Sequence, residues 1–325
     1  MRLKSIVFLG PARWSFVVMT SQIEQLSPSG TYMGVPNGRS IRPGQAAILG
    51  IPFDCGTHPT RIGARMGPAA IRRESGLVRP FYPSLSDSNV LHDLNVVDLG
   101  DVSVTSSEVA SSFAAIEGAI DAVLFSGGYP VTMGGDGSVS LPQLRAVHRH
   151  YPDLVLLHID AHTDAYDLPG YNTSTTFTRA AEERLIDVTR SFHIGARGTL
   201  AMPGIYEHTR NLGYRLILGD ELRRRGVTDV ISDVRTIVGT RPVYLCFDMD
   251  FIDPACAPGV ATPTWGGPDA ATALDLLHGL VALRFIAVDV NTVSPSHDVG
   301  GMTACLAAQV VLVGLHLIAL GRNTG

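Results

Sequence analysis

Charge is scarce in this chain. Asp, Glu, Lys and Arg make up 17% of its 325 residues, against roughly a quarter in an average soluble domain, so part of the surface is expected to be hidden in subunit contacts. Basic residues are outnumbered, 25 Lys and Arg against 30 Asp and Glu for a net charge of -5. No nucleic-acid partner is expected, because the clustered Lys and Arg of such proteins are missing and the one dense run, Arg223 to Arg225, reads as a solvated helix end. Cysteine is rare: Cys55, Cys246, Cys256 and Cys305 stand without CxxC spacing, which excludes a zinc knuckle and a disulfide framework and points to a cytoplasmic chain. Neither GxxxxGK[ST] nor GxGxxG occurs, which argues against a phosphate cradle. No stretch reaches the roughly 18 uninterrupted apolar residues of a membrane span, so no membrane association is expected. The N-terminal MRLKSIVFLGPARWSFVVM begins like a signal peptide but is interrupted at Gly10-Pro11-Ala12-Arg13.

What is present is a repeated alternation of short apolar bursts and helical patterns. Residues 1–45, with SPSGTYMGVPNGRSIRPG, read as a poorly ordered N-terminal arm, and 46–325 as a single α/β domain. Bursts recur at 46–52, 95–101, 129–136, 153–160, 191–197, 241–250 and 284–291, with helical patterns at 111–127, 269–283 and 303–320. Strands that are apolar throughout and separated by helices predict a mostly parallel central sheet covered on both faces, a three-layer α/β/α sandwich. Ligands of such sheets bind at the carboxyl ends of the strands. Three polar clusters, MGGDGS, DAHTD and DMDFIDP, fall at those ends.

In DAHTD, Asp160, His162 and Asp164 alternate at spacing two, and Asp248 and Asp250 repeat the spacing in DMD. A strand leaving the sheet would aim such residues to one side. Grouped carboxylates repel unless a cation sits among them, and mostly oxygen ligands with one imidazole suit Mn²⁺ or a neighbouring first-row ion such as Ni²⁺. Taken singly, any of these aspartates is more ordinarily a cap or turn residue. His158 reads as a structural histidine or a partner to a ligand, and Asp167 as a turn residue.

Together these stretches resemble the ureohydrolases, the family of arginase, agmatinase and guanidinobutyrase, whose signatures are GGDHS, DAHxD and SxDxDxxDPxxAPGTGTPxxGG. Here the matching stretches are GGDGS at 134–138, DAHTD at 160–164 and CFDMDFIDPACAPGVATPTWGG at 246–267, with LGIPFDCGTHPTRIGARMGPAAIR at 49–72 resembling an agmatinase-type segment. The resemblance implies an arginase-like fold and a hydroxide bridging two Mn²⁺ ions. It assigns Asp160 and Asp248 as bridging ligands, His162 and Asp250 to one ion, and Asp164 with a histidine of GGDHS to the other.

That histidine is absent, because position 137 is glycine. Thr173 stands where the family places a proton-shuttling histidine, Thr272 where it places a guanidinium-binding glutamate, and Thr292 where it reads glutamate. No residue is therefore assigned a catalytic role. The expected function is a ureohydrolase-fold subunit, non-catalytic by itself, with one ion or none. It would support a catalytic paralogue carrying two ions, in a trimer or hexamer that hydrolyses guanidino, amidine or biguanide compounds such as metformin. One alternative is a self-sufficient agmatinase- or guanidinobutyrase-like hydrolase with a remodelled one-metal or altered dinuclear site, in which Asp136 or His297 would replace the missing ligand; another is a stand-alone small-molecule-binding or scaffold protein.

Overall fold

The computed structural model describes residues 30–55 and 60–322. Eight strands form one sheet: β1 (Ala46–Gly50), β2 (Val97–Asp101), β3 (Tyr129–Met133), β4 (Val155–Ile159), β5 (Phe192–Ala196), β6 (Arg215–Leu218), β7 (Pro242–Asp248) and β8 (Arg284–Asn291). Their order is β2-β1-β3-β8-β7-β4-β5-β6, and every pairing is parallel. The seven apolar bursts each deliver a strand. The eighth, Arg215–Leu218, is a four-residue edge strand, too short and too polar at its start to stand out in the sequence.

The strands are apolar at successive positions because both faces are covered. Ala46 and Ile48 of β1 and Val155, Leu157 and Ile159 of β4 pack into one buried cluster, while Ala47, Leu49 and Leu156 pack into another. Helices Gly67–Glu74, Val227–Val238, Ala270–Gly279 and Met302–Gly321 cover the first face. Val109–Phe125, Ser140–His150 and Thr176–Glu182 cover the second. The result is the expected α/β/α sandwich, with an all-parallel sheet.

Met302–Gly321 is, among the described residues, the one helix with the length and apolarity of a membrane span, and most of it is buried inside the protein. Its apolar character follows from its place against β8 and β3. Of the arm expected over 1–45, residues 1–29 lie outside the described residues. From residue 30 onward the chain is seated on the domain: Tyr32 is fully buried, and its hydroxyl donates to the Ala308 carbonyl at 2.8 Å.

Candidate metal centre

Four strands that are neighbours in the sheet, β3, β8, β7 and β4, release their chains at the same edge. The loop after β3 carries Gly134 to Gly137, that after β4 carries Asp160 to Asp164, β7 ends on Asp248, and β8 is followed by Thr292. Gly135 is required by packing, since a Cβ there would lie 1.5 Å from the Phe53 carbonyl oxygen. That close approach, with Asp136 N donating to Phe53 O at 3.1 Å and Thr292 N to Gly135 O at 2.7 Å, locks the loop between the exits of β1 and β8.

The structure brings Asp160, His162, Asp164, Asp248 and Asp250 to the wall of one cavity of about 280 Å³ or directly beneath it. Strand alternation is not what gathers them. β4 ends at Ile159, Asp164 reaches the site from a backbone with φ of 44°, and Asp250 lies in the short turn Met249–Phe251, where its N–H donates to Asp248 Oδ1 at 2.8 Å. Likewise His162 N donates to Asp160 Oδ1 at 2.8 Å. Each pair is thus set by an Asp capping the turn two residues on.

His162 Nδ1 lies 3.3 Å from both Asp160 Oδ1 and Asp250 Oδ2. Ligand atoms of Asp160, His162 and Asp250 fall within 4.8 Å of one another, and so do those of His158, Asp160 and Asp164. Asp160 is 1% exposed and its Oδ2 accepts no hydrogen bond. Burial, reinforced by neighbouring carboxylates, pushes Asp164 and Asp248 well above the ordinary carboxylate range and Asp250 up to about 6. Burial would raise Asp160 as well, but the imidazoles of His158 and His162 hold it well below its ordinary value. Crowded, buried and raised carboxylates are what a site shaped for a cation looks like without one.

The departures noted in the sequence have physical consequences here. A Cβ on Gly137 would lie 2.8 Å from Asp164 Oδ2 and 3.0 Å from Thr173 Cγ2, so Asp164 and Thr173 close over the space an imidazole would need. Thr292, with φ of 70°, places its hydroxyl against Asp248 Oδ2 and 2.8 Å from Asn291 Oδ1. Thr272 is not among the residues lining the cavity. It sits in the first turn of Ala270–Gly279, where its N–H donates to the capping Asp269 at 2.8 Å. Asp136 lines the cavity but is engaged by the Cys55 and Ser138 N–H groups. His297, bonded through Nδ1 to Ser294 Oγ at 2.9 Å, lies outside the lining. Asp167 is exposed but lies in irregular chain rather than in the turn expected of it.

This fold and site match a known class. The arginase family description matches residues 44–316, and the chain belongs to that family, the ureohydrolases. Among its relatives it is 38% identical over 269 residues to a guanidinobutyrase of Pseudomonas aeruginosa, covering 82% of this chain and 84% of that protein. It is 37% identical over 303 residues to a guanidinopropionase of the same organism, covering 92% and 94%. Among solved structures, proclavaminate amidino hydrolase from Streptomyces clavuligerus superposes with a TM-score of 0.85 at 33% identity, over 90% of this chain and 97% of that one.

Proposed function

We propose that this chain is a divalent-metal-dependent hydrolase of a carbon–nitrogen bond in linear guanidino or amidine compounds, working through a remodelled metal centre. The observation that carries the reading is the buried Asp160, Asp248 and Asp250 with half-buried His162 at the cavity, where Asp160 Oδ2 makes no aligned hydrogen bond although His158 Nε2 lies 2.9 Å away. A buried acceptor with no hydrogen bond is costly, and a cation among the carboxylates removes that cost. Oxygen donors with one imidazole suit Mn²⁺ or Ni²⁺. Bound there, such an ion would supply a Lewis acid that lowers the pKa of a coordinated water. The chain's own part is to orient His162 between Asp160 and Asp250 and to present a cationic substrate with an acidic wall that includes Asp136 and Asp164. The names of the relatives, guanidinobutyrase and guanidinopropionase, support a guanidino substrate. Thr173 and Thr292 offer only hydroxyls, so the general acid–base help worth about 10²–10⁴-fold in such sites is lost, and slow turnover is expected.

A second reading is favoured by one observation: Gly137 and Thr173 meet beside Asp164 and Thr292 lines the same cavity, all three without a titrating group. On this reading the chain is non-catalytic alone and supports a catalytic ureohydrolase paralogue in a trimer or hexamer acting on guanidino, amidine or biguanide compounds. Urea or amine release from 4-guanidinobutyrate, 3-guanidinopropionate and a biguanide separates the two, measured with the purified chain alone and then with a complete paralogue. Release by the chain alone, abolished by a chelator, supports the first reading. Release only with the paralogue overturns it in favour of the second.

A further inference from the structure

The position that lost its imidazole has another one within reach. His158, two residues before Asp160 and 1% exposed, places its Nε2 2.9 Å from Asp160 Oδ2. The two atoms do not line up as a hydrogen bond, since Oδ2 remains without a hydrogen-bond partner. Two donors bound at right angles on one octahedral ion, each at about 2.1 Å, stand about 3.0 Å apart, close to the 2.9 Å found here. The carboxylate of Asp164, 4% exposed, completes a group whose ligand atoms lie within 4.8 Å of one another. Phe177 N donates to the Asp164 carbonyl at 2.8 Å, but among the described residues no hydrogen-bond donor reaches its carboxylate.

The far side of the His158 ring is arranged as the outer partner of a ligand would be. Its Nδ1 is 2.8 Å from Nδ1 of His193, which is fully buried on β5. Two ring nitrogens at that distance share one proton. In the metal-free protein His158 Nε2 faces Asp160 Oδ2 as its ion-pair partner; with an ion bound, the proton would sit on His158 Nδ1 with His193 accepting it, and His158 Nε2 would turn its lone pair to the ion. Metal-ligating histidines usually donate their other N–H in this way. His193 Nε2 then carries a hydrogen and has no oxygen or nitrogen partner, and the Tyr214 ring stands edge-on to His193 with centroids 4.5 Å apart, a place for a weak N–H to aromatic contact. Phe177 holds the His158 ring from the side, with centroids 4.2 Å apart.

We propose that His158 takes over from the imidazole absent at position 137, so that a second divalent cation is held by His158 Nε2, Asp160 Oδ2 and Asp164. Asp160 then divides its two oxygens, Oδ1 on the His162 side and Oδ2 on the His158 side. This rests on the reading of Asp160, His162, Asp248 and Asp250 as the seat of the first ion.

The test is anomalous diffraction from crystals of the full chain grown with Mn²⁺. The expected map has two peaks, one of them within coordination distance of His158 Nε2. In solution, His158→Gln is expected to lower bound Mn²⁺ from two ions per chain to one, with circular dichroism reporting whether the variant folds; the wild-type map decides the matter even where it does not. A single peak among Asp160, His162, Asp248 and Asp250 overturns the proposal while leaving the first ion's reading intact. A second peak that touches Asp164 but not His158 also overturns it. No peak at all removes both.

Discussion

Introducing a histidine at position 137 probes the geometry directly. A Cβ there would meet Asp164 Oδ2 at 2.8 Å and Thr173 Cγ2 at 3.0 Å, and the two neighbours yield differently. Asp164 Oδ2 is the end of a side chain and can turn away. The Thr173 methyl belongs to a β-branched residue, stiff at χ1, in the short turn Thr173–Thr175. Gly137 itself has no positive φ, so the backbone adds no strain and the cost is steric. Overpacking of this kind costs about 1–3 kcal/mol, and each kcal/mol lowers the Tm of a large domain by roughly 2–4 °C. In a chelator, Gly137→His should therefore melt roughly 2–12 °C below the wild type, and adding Thr173→Ala should recover most of the loss. Mn²⁺ should then raise the Tm of the variant more than that of the wild type, because the new imidazole would lie beside the proposed cation seat; a ligand at a hundred times its Kd contributes about 2.7 kcal/mol. Thermal melts of both proteins, with and without Mn²⁺, read all of this. A variant that melts with the wild type in chelator refutes the steric argument, and an Mn²⁺ shift no larger than the wild type's refutes the placing of position 137 beside an ion.

Other consequences follow from the same centre and from elsewhere in the fold. Thr292→Val removes the hydroxyl bonded to Asp248, a partner one step out from a ligand, and should weaken Mn²⁺ binding by about 10–100-fold; an unchanged Kd by calorimetry counts against the assignment of Asp248. Asp250 titrates near 6 in the folded chain, and Asp164 and Asp248 are raised too. The folded metal-free protein therefore holds protons that the unfolded chain, titrating near 4, has released. Its stability should fall as pH rises from about 4 through about 6, and Mn²⁺ should reverse the trend because it needs the ionised carboxylates; a chelated protein that gains stability over that range contradicts this. Burial pushes His316, in the helix Met302–Gly321, down to about 4, so there the unfolded chain takes the proton first. Its contribution is present above about 6.5 and is lost as pH falls toward 4. The difference in Tm between wild type and His316→Leu should shrink or change sign in favour of the leucine over that interval, and a constant difference would refute it.

The architecture was readable from the chain because a parallel sheet buried on both faces demands strands with no polar alternation, and Ala46 to Leu49 or Val155 to Ile159 show that directly. The short edge strand Arg215–Leu218 was not, because its burial is partial and its pattern too brief. The aspartates of the centre were readable as a group, although the geometry inferred for them was not. Turns capped by Asp160 and Asp248 bring His162 and Asp250 into place, and spacing alone does not distinguish a capped turn from an extended strand. His158 was readable only as a neighbour, and its approach to Asp160 and His193 depends on the pairing of β4 with β5, a contact between residues 35 apart. Thr272, placed by motif at the substrate, instead lies in the first turn of a helix, where its N–H donates to the capping Asp269.

A divalent ion held by Asp160, His162, Asp248 and Asp250 is the proposal on which the function rests. Its most direct test is elemental analysis of the purified full chain after loading with Mn²⁺ and exhaustive desalting, beside His162→Ala treated identically. At least one ion per chain is expected in the wild type, with loss of that ion in the variant. A wild-type chain that retains none, or a variant that retains as much as the wild type, would contradict it.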